Sequence, residues 1–173
     1  MILLNRYENL MSNHDDLLIF ERNDLPKNHK GFYSDGVVLI DRTLSQLKKL
    51  EILSEEIAHH KVTYGDILDD ESIFKRKFEL KARRCGYEML ITLDGIISAY
   101  KSNVHNLYEL ANYFEVTESY IIKTLEHYKM KFGISTYHNG YVIRFEPLQV
   151  FKDRKSTRLN SSHELKSRMP SSA

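Results

Sequence analysis

Apolar residues recur at steps of three and four along residues 44–62 of this chain, with polar residues between them. The apolar positions are Leu44, Leu47, Leu50, Ile52, Leu53, Ile57 and Ala58. This spacing is typical of an amphipathic helix, since a half-buried strand would alternate apolar and polar residues. A second helix is predicted over residues 71–90, with Asp69 or Asp70 as its N-cap.

The N-terminal part of the chain has shorter patterns. They predict a helix over residues 6–11, a strand over 17–20, a loop over 23–35 and a strand over 37–40. The loop is predicted because Pro26, Gly31 and several Asn and Asp residues favour turns. The strand over residues 37–40 is predicted from its short β-branched run.

The C-terminal half adds helices and a hairpin. Helices are predicted over residues 93–100, 106–114 and 118–132, and strands over 134–137 and 141–145. Asn139-Gly140 between the two strands favours a tight hairpin turn. With no internal repeat and no obvious linker, the pattern predicts one α+β domain over residues 1–152.

Residues 153–173 differ from the rest of the chain, because they are rich in serine and have no apolar period. They resemble a translated sequencing adapter, so we expect a non-native, disordered tail. Without this tail the chain carries 20 basic and 22 acidic side chains, a net charge of −2. That charge gives no support to binding of a nucleic-acid backbone.

Membrane association is not expected. No apolar run is long enough to span a bilayer, and the apolar N-terminus is too short for a signal peptide. The single cysteine, Cys85, fits a reducing compartment. These features predict a cytoplasmic protein.

The second half of the 44–62 helix carries Glu55, Glu56, His59 and His60. Their spacing is similar to the His-Glu-x-x-His motif of zinc proteases, with Glu55 in place of the first histidine. Glu55 and His59 lie on one helix face with Cβ atoms about 6 Å apart, which suits two ligands of one metal ion. Glu56 lies one step round the helix, in the position of a general base.

The same residues allow other interpretations. A second register would make Glu56 and His60 the ligands, because His60 lies about 140° round the helix from Glu55 and does not share its site. In an exposed helix, a glutamate and a histidine four residues apart are only a weak stabilising pair. A metal site also needs a third ligand, for which the next helix offers Glu79 and Glu88.

Three segments in order, residues 31–41, 52–60 and 79–91, resemble the ImmA/IrrE family of metallopeptidases. The first is similar to the family's segment leading into a strand, the second holds the Glu-Glu-x-x-His string, and the third has the Glu-x-x-Ala form of the family's glutamate helix. Residues 107–128 resemble members from phages and mobile elements. The resemblance implies a zincin-like fold with a small sheet, a metal-site helix pair, a C-terminal helical subdomain and a β-hairpin.

The resemblance implies a zinc-dependent endopeptidase in which His59 and Glu79 bind the metal and Glu56 is the catalytic base. Glu55 holds the position of the first ligand, where members with the complete motif have a histidine. A carboxylate there adds negative charge, which favours harder ions than zinc and makes Mn²⁺ a second candidate. We therefore expect activity that is lower than the complete motif supports, or absent.

The resemblance also implies a protein substrate, a helix-turn-helix repressor whose cleavage releases prophage, mobile-element or stress genes. The substrate would pair in extended form with an edge strand. That strand is predicted to consist of Val37, Val38, Leu39 and Ile40, for which core packing is the alternative role.

Two other functions are compatible with the sequence. One is a catalytically inactive protein that still binds the repressor. The other is a DNA-binding helix-turn-helix over residues 107–128, with residues 115–117 as the turn. Its recognition helix would begin at Glu118 and holds few arginines for phosphate or guanine, so nucleic acid is not the expected partner.

Overall fold

Six helices and two three-stranded sheets make up the part of the chain that the structure, a computed structural model, describes: residues 5–26, 29–63 and 73–153. In chain order the elements are α1 (Arg6–Ser12), β1 (Leu18–Arg22), β2 (Gly31–Ser34), β3 (Val37–Asp41), α2 (Gln46–Thr63), α3 (Ile73–Leu90), α4 (Leu93–Lys101), α5 (Leu107–Phe114), α6 (Glu118–Phe132), β4 (Ser135–His138), β5 (Tyr141–Phe145) and β6 (Leu148–Lys152). This arrangement confirms the predicted α+β class. Among these elements, no helix has the length and apolar character needed to cross a membrane.

The N-terminal sheet has the strand order β1-β3-β2, with β3 parallel to β1 and antiparallel to β2. Val38 and Ile40 of β3 are fully buried, since alternate residues of a strand point to the same face. Helix α2 packs against β2 and β3. The sheet therefore forms one wall beside the helix that carries the charged cluster.

The predicted loop over residues 23–35 is wrong at its C-terminal end, where Gly31–Ser34 form β2. Asp35 and Gly36, with φ of 47° and 81°, reverse the chain from β2 into β3. Two successive residues with positive φ produce a tight turn that suits the twist of a hairpin. The Asp-Gly pair was thus a hairpin signal inside a segment whose other residues favour a loop.

Helices α2 and α3 agree with the predicted spans and pack along each other. Leu53 and Ile57 of α2 are fully buried. On α3, a Cβ at Gly86 would lie 3.2 Å from Ser54 Oγ, so the glycine allows a close approach of the two helices. The predicted N-cap residues, Asp69 and Asp70, lie outside the described residues.

The C-terminal half confirms the three predicted helices and the hairpin at Asn139-Gly140. A third strand, β6, which the sequence pattern did not indicate, pairs with β5. Ile143 and Phe145 of β5 belong to the same continuous core as the buried residues of α2 and β3.

The N-terminal turn of α6 packs on α2. Glu51 is only 6% exposed and accepts hydrogen bonds from Thr117 N and Thr117 Oγ1, at 2.7 and 2.6 Å. The hydroxyl of Tyr120 lies 3.2 Å from Ser54 Oγ. A recognition helix presents its N-terminal residues to the major groove, whereas Thr117 and Tyr120 are engaged with α2. This packing does not favour the DNA-binding alternative.

Candidate metal centre

Three side chains from two helices converge near the C-terminal half of α2: Glu55, His59 and, from α3, Glu79. Each offers one ligand atom, and these atoms lie within 4.8 Å of one another. His59 Nε2 and Glu79 Oε2 are 3.6 Å apart. The packing of α3 on α2 thus brings a third candidate ligand to the pair that one helix can supply.

One distance in this group is close to the spacing of ligand atoms around a tetrahedral metal ion. Zinc binds histidine nitrogen and carboxylate oxygen at about 2.0–2.2 Å, which puts neighbouring ligand atoms about 3.4 Å apart in a tetrahedron. The distance between His59 and Glu79, 3.6 Å, is already close to that value. Three protein ligands with a fourth position left for water or substrate is the arrangement found in catalytic zinc sites.

Glu56 borders the cluster, in the space between α2 and β2. A Cβ built on Gly31 of β2 would lie 2.7 Å from Glu56 Oε1 and 3.0 Å from Glu56 Cγ. It would come closer still to Ile52 Cγ2. The glycine therefore lets the backbone of β2 reach the carboxylate, which is partly buried between strand and helix.

Negative charge is concentrated at this place. Burial, and after it the neighbouring carboxylates of Glu55 and Glu79, raise the pKa of Glu56 to about 8. Arg83 of α3 places a positive charge beside Glu55, with its Nε 3.2 Å from Glu55 Oε1. A divalent cation would offset the remaining negative charge, so the electrostatics of the cluster favour binding of a metal ion.

His60 lies outside the cluster. Its Nδ1 is 2.7 Å from the hydroxyl of Tyr33, and its Nε2 is 3.2 Å from Asp16 Oδ2. Its ring also contacts the ring of Tyr33 edge-on. The group of described residues that could hold a metal ion contains neither Glu56 nor His60. Its members match the first of the two registers, and their role as ligands stays a prediction.

Glu88, the other candidate for the third ligand, faces α6 instead. It accepts hydrogen bonds from His127 Nε2 at 2.7 Å and from Lys131 Nζ at 2.7 and 2.8 Å. Glu88 lies nine positions after Glu79, so the two side chains lie on different sides of α3. The cluster takes only Glu79 from this helix.

The prediction that Val37, Val38, Leu39 and Ile40 form an edge strand is wrong. They belong to β3, which pairs with β1 on one side and with β2 on the other. A strand bonded on both sides has no backbone groups left to pair with a peptide. The edges of this sheet are β1 and β2, and β2 is the one that approaches Glu56.

Residues 9–126 match the IrrE N-terminal-like domain, a family of peptidases. The chain belongs to this family. The match covers both helices that carry the cluster and the whole N-terminal sheet. It confirms the family resemblance, and the family is one of metallopeptidases that use a divalent metal, typically zinc.

A solved structure with a similar fold is a Mycobacterium tuberculosis transcriptional regulator, with a TM-score of 0.52 and 15% sequence identity. The similarity covers 69% of this chain and 40% of that protein. At this identity the likeness concerns the fold alone. No match was found among curated proteins.

Two residues of the site were not found from the sequence. Arg83 follows Glu79 by four residues, so helix spacing alone places it on the same face of α3. Gly31 lies in the segment that is predicted to be a loop, although Asp35-Gly36 just after it favours a hairpin. Local spacing and turn residues thus indicate the conformation at both positions. Only the packing of α3 and β2 on α2 brings Arg83 and Gly31 to the site.

Proposed function

We propose that this protein is a metal-dependent endopeptidase that cleaves a helix-turn-helix transcriptional repressor. The observation that carries the proposal is the convergence of Glu55, His59 and Glu79 beside Glu56, in a chain of a peptidase family. Bound zinc would polarise the scissile carbonyl and lower the pKa of a water molecule.

In this proposal Glu55, His59 and Glu79 hold the metal and Glu56 is the catalytic base. In the metal-loaded protein the positive ion would lower the pKa of Glu56 from its metal-free value, so the carboxylate can accept a proton from the attacking water and return it to the amine that leaves. Its place between α2 and β2 supports this role, because it borders the ligand cluster without contributing a ligand.

The substrate binds as an added strand on β2. Among the described strands β2 pairs only with β3, so its other edge is open. An extended peptide would use this edge for backbone hydrogen bonds, which give affinity without demanding one sequence. The backbone of β2 meets Glu56 at Gly31, so a peptide along β2 passes the proposed base.

The choice of a repressor as substrate rests on the ImmA/IrrE resemblance. The structural relative is itself a transcriptional regulator, which is compatible with a role in the control of transcription. Cleavage of a repressor releases the genes that it silences.

Metal binding is the first test. We expect purified protein to hold about one divalent ion per chain, and Glu56→Gln to keep the ion and lose cleavage. Glu118→Gln removes the same charge from an exposed position on α6 and should change neither property. If neither zinc nor manganese binds, the enzyme proposal fails and an inactive repressor-binding protein becomes the better description.

The substrate is tested separately. The metal-loaded protein and Glu56→Gln are each incubated with a protein extract from the source cells, and new N-termini are identified by mass spectrometry. We expect cuts in a helix-turn-helix repressor with the unaltered protein only. Cuts confined to other proteins would refute the repressor, and no cuts with either metal would refute the peptidase.

A further inference from the structure

We propose that Arg83 is a positioning residue for the metal site, and that the Glu55–Arg83 pair together takes the place of the histidine in the complete motif. The inference rests on the proposed function, because it concerns the ligand set of that same site. It assigns Arg83 a role in the choice of metal ion.

Arg83 reaches the site from α3. Glu79 and Arg83 are four residues apart, so both lie on the face of α3 that meets α2. Arg83 Nε lies 3.2 Å from Glu55 Oε1, whereas His59 Nε2 lies 3.6 Å from Glu79 Oε2. One contact between α2 and α3 therefore joins two proposed ligands, His59 and Glu79. The other joins the proposed ligand Glu55 to the cation of Arg83.

The first consequence concerns charge. A metal ion binds histidine as a neutral imidazole, so the carboxylates of Glu55 and Glu79 would give the ligand set a charge of −2, whereas two histidines and a glutamate would give −1. The positive guanidinium of Arg83 returns the site to −1. The pair therefore presents the charge of the histidine version.

The second consequence concerns the number of ligand atoms. A carboxylate can bind a metal through one oxygen or two, and ions such as Ca²⁺ and Mn²⁺ accept more oxygen ligands than tetrahedral zinc. Arg83 holds Oε1 of Glu55, which leaves the other oxygen as a single ligand atom. A histidine likewise contributes one atom.

These effects are best measured as a ratio of affinities. Direct repulsion between Arg83 and the ion is the same for two divalent ions, so it cancels in the ratio of Zn²⁺ to Mn²⁺ binding. What remains is the restraint on Glu55. Loss of a hydrogen bond to a metal ligand changes metal affinity by about 10–100-fold. Only the part that differs between the two ions remains in the ratio, and the side chain of Arg83 is half exposed, so we expect a change in the ratio of up to about tenfold.

The experiment measures Zn²⁺ and Mn²⁺ affinity of the purified full chain, by chelator competition and by titration calorimetry at one pH. Arg83→Gln should lower the ratio of Zn²⁺ to Mn²⁺ affinity by up to about tenfold. Arg83→Lys should retain most of the ratio, because the contact uses a single N–H that an ammonium can replace. Arg83→Met keeps the apolar stem and should match Arg83→Gln, which separates charge from packing.

A control variant and a second set of variants, made in Glu55→His, test whether the change in the affinity ratio depends on Glu55. Lys81→Gln removes the same charge from an exposed position on α3 and should leave the ratio unchanged. In Glu55→His the ratio should no longer respond to Arg83→Gln, because an imidazole has no second oxygen to hold. Co²⁺ absorption gives an independent reading: the intense tetrahedral band should weaken in Arg83→Gln and not in Lys81→Gln.

Each outcome has a defined meaning. A ratio within twofold of the unaltered protein in Arg83→Gln and Arg83→Met overturns the inference and leaves the proposed function intact. An equal fall of the ratio in the Glu55→His background also overturns it, because the effect would then not depend on the carboxylate. Absence of Zn²⁺ and Mn²⁺ binding to the unaltered protein overturns both proposals.

Discussion

Replacing Gly31 by alanine should disturb the site directly. The new Cβ would lie 2.7 Å from Glu56 Oε1 and closer still to Ile52 Cγ2. Ordinary contacts begin at about 3.5 Å between carbon atoms and a few tenths of an ångström lower between carbon and oxygen, so Glu56 or the backbone of β2 must move by roughly 0.5–1 Å. Since Ile52 is β-branched and sits on a helix, it has little freedom to turn away.

The size of the effect follows from this overlap. Overpacking of this kind costs about 1–3 kcal/mol of unfolding free energy. A displacement of about 1 Å in a reacting group costs about 10²-fold in rate, so cleavage should fall by that order. Metal affinity should change less, because Gly31 contacts the proposed base and none of the three ligands among the atoms nearest to its Cβ.

Urea denaturation and cleavage assays on the same preparations test this prediction. Gly36→Ala is the matched control, since Gly36 lies in the turn between β2 and β3 with φ of 81° and no described heavy atom within 4 Å of its Cβ. It should cost about 1–2 kcal/mol through backbone strain alone and leave cleavage near normal. If Gly31→Ala cleaves as fast as Gly36→Ala, the placement of Glu56 against β2 is refuted.

Two further predictions concern stability. Glu51→Ala should lower the unfolding free energy by about 2 kcal/mol, because it leaves the partly buried donors of Thr117 without their acceptor. Denaturation alongside the exposed Glu118→Ala checks this, and equal losses would contradict it. Partial burial raises the pKa of Glu88, but hydrogen bonds from Lys131 and His127 outweigh it and hold that pKa below its usual value. The stabilisation is present above the unfolded-state pKa and is lost as pH falls through the folded-state value. The difference in stability between the unaltered protein and Glu88→Gln should therefore shrink in acid, and a constant difference from neutral to acid pH would argue against it.

Local patterns were sufficient for most of the elements. The helical period over residues 44–62 and the Asn139-Gly140 turn predicted α2 and the C-terminal hairpin, because spacing and turn chemistry act over a few residues. Strand β2 was missed because Pro26 and the polar residues before Gly31 dominate its segment. Strand β6 was missed because it gains its stability from pairing with β5.

The sequence by itself determined which residues of α2 can act together, since helix geometry puts Glu55 and His59 on one face and His60 on another. Residue spacing left Glu79 and Glu88 open, and the family resemblance implied Glu79. The tertiary structure brings Glu79 to these residues, because this depends on which side of α3 meets α2. It also decided that β2 lies at an edge of the sheet that the described residues form and β3 at its centre, since strand order is set by pairing partners far apart in the chain. The contact of Arg83 with Glu55 also depends on the tertiary structure, because it joins residues of two helices whose relative position no local pattern specifies.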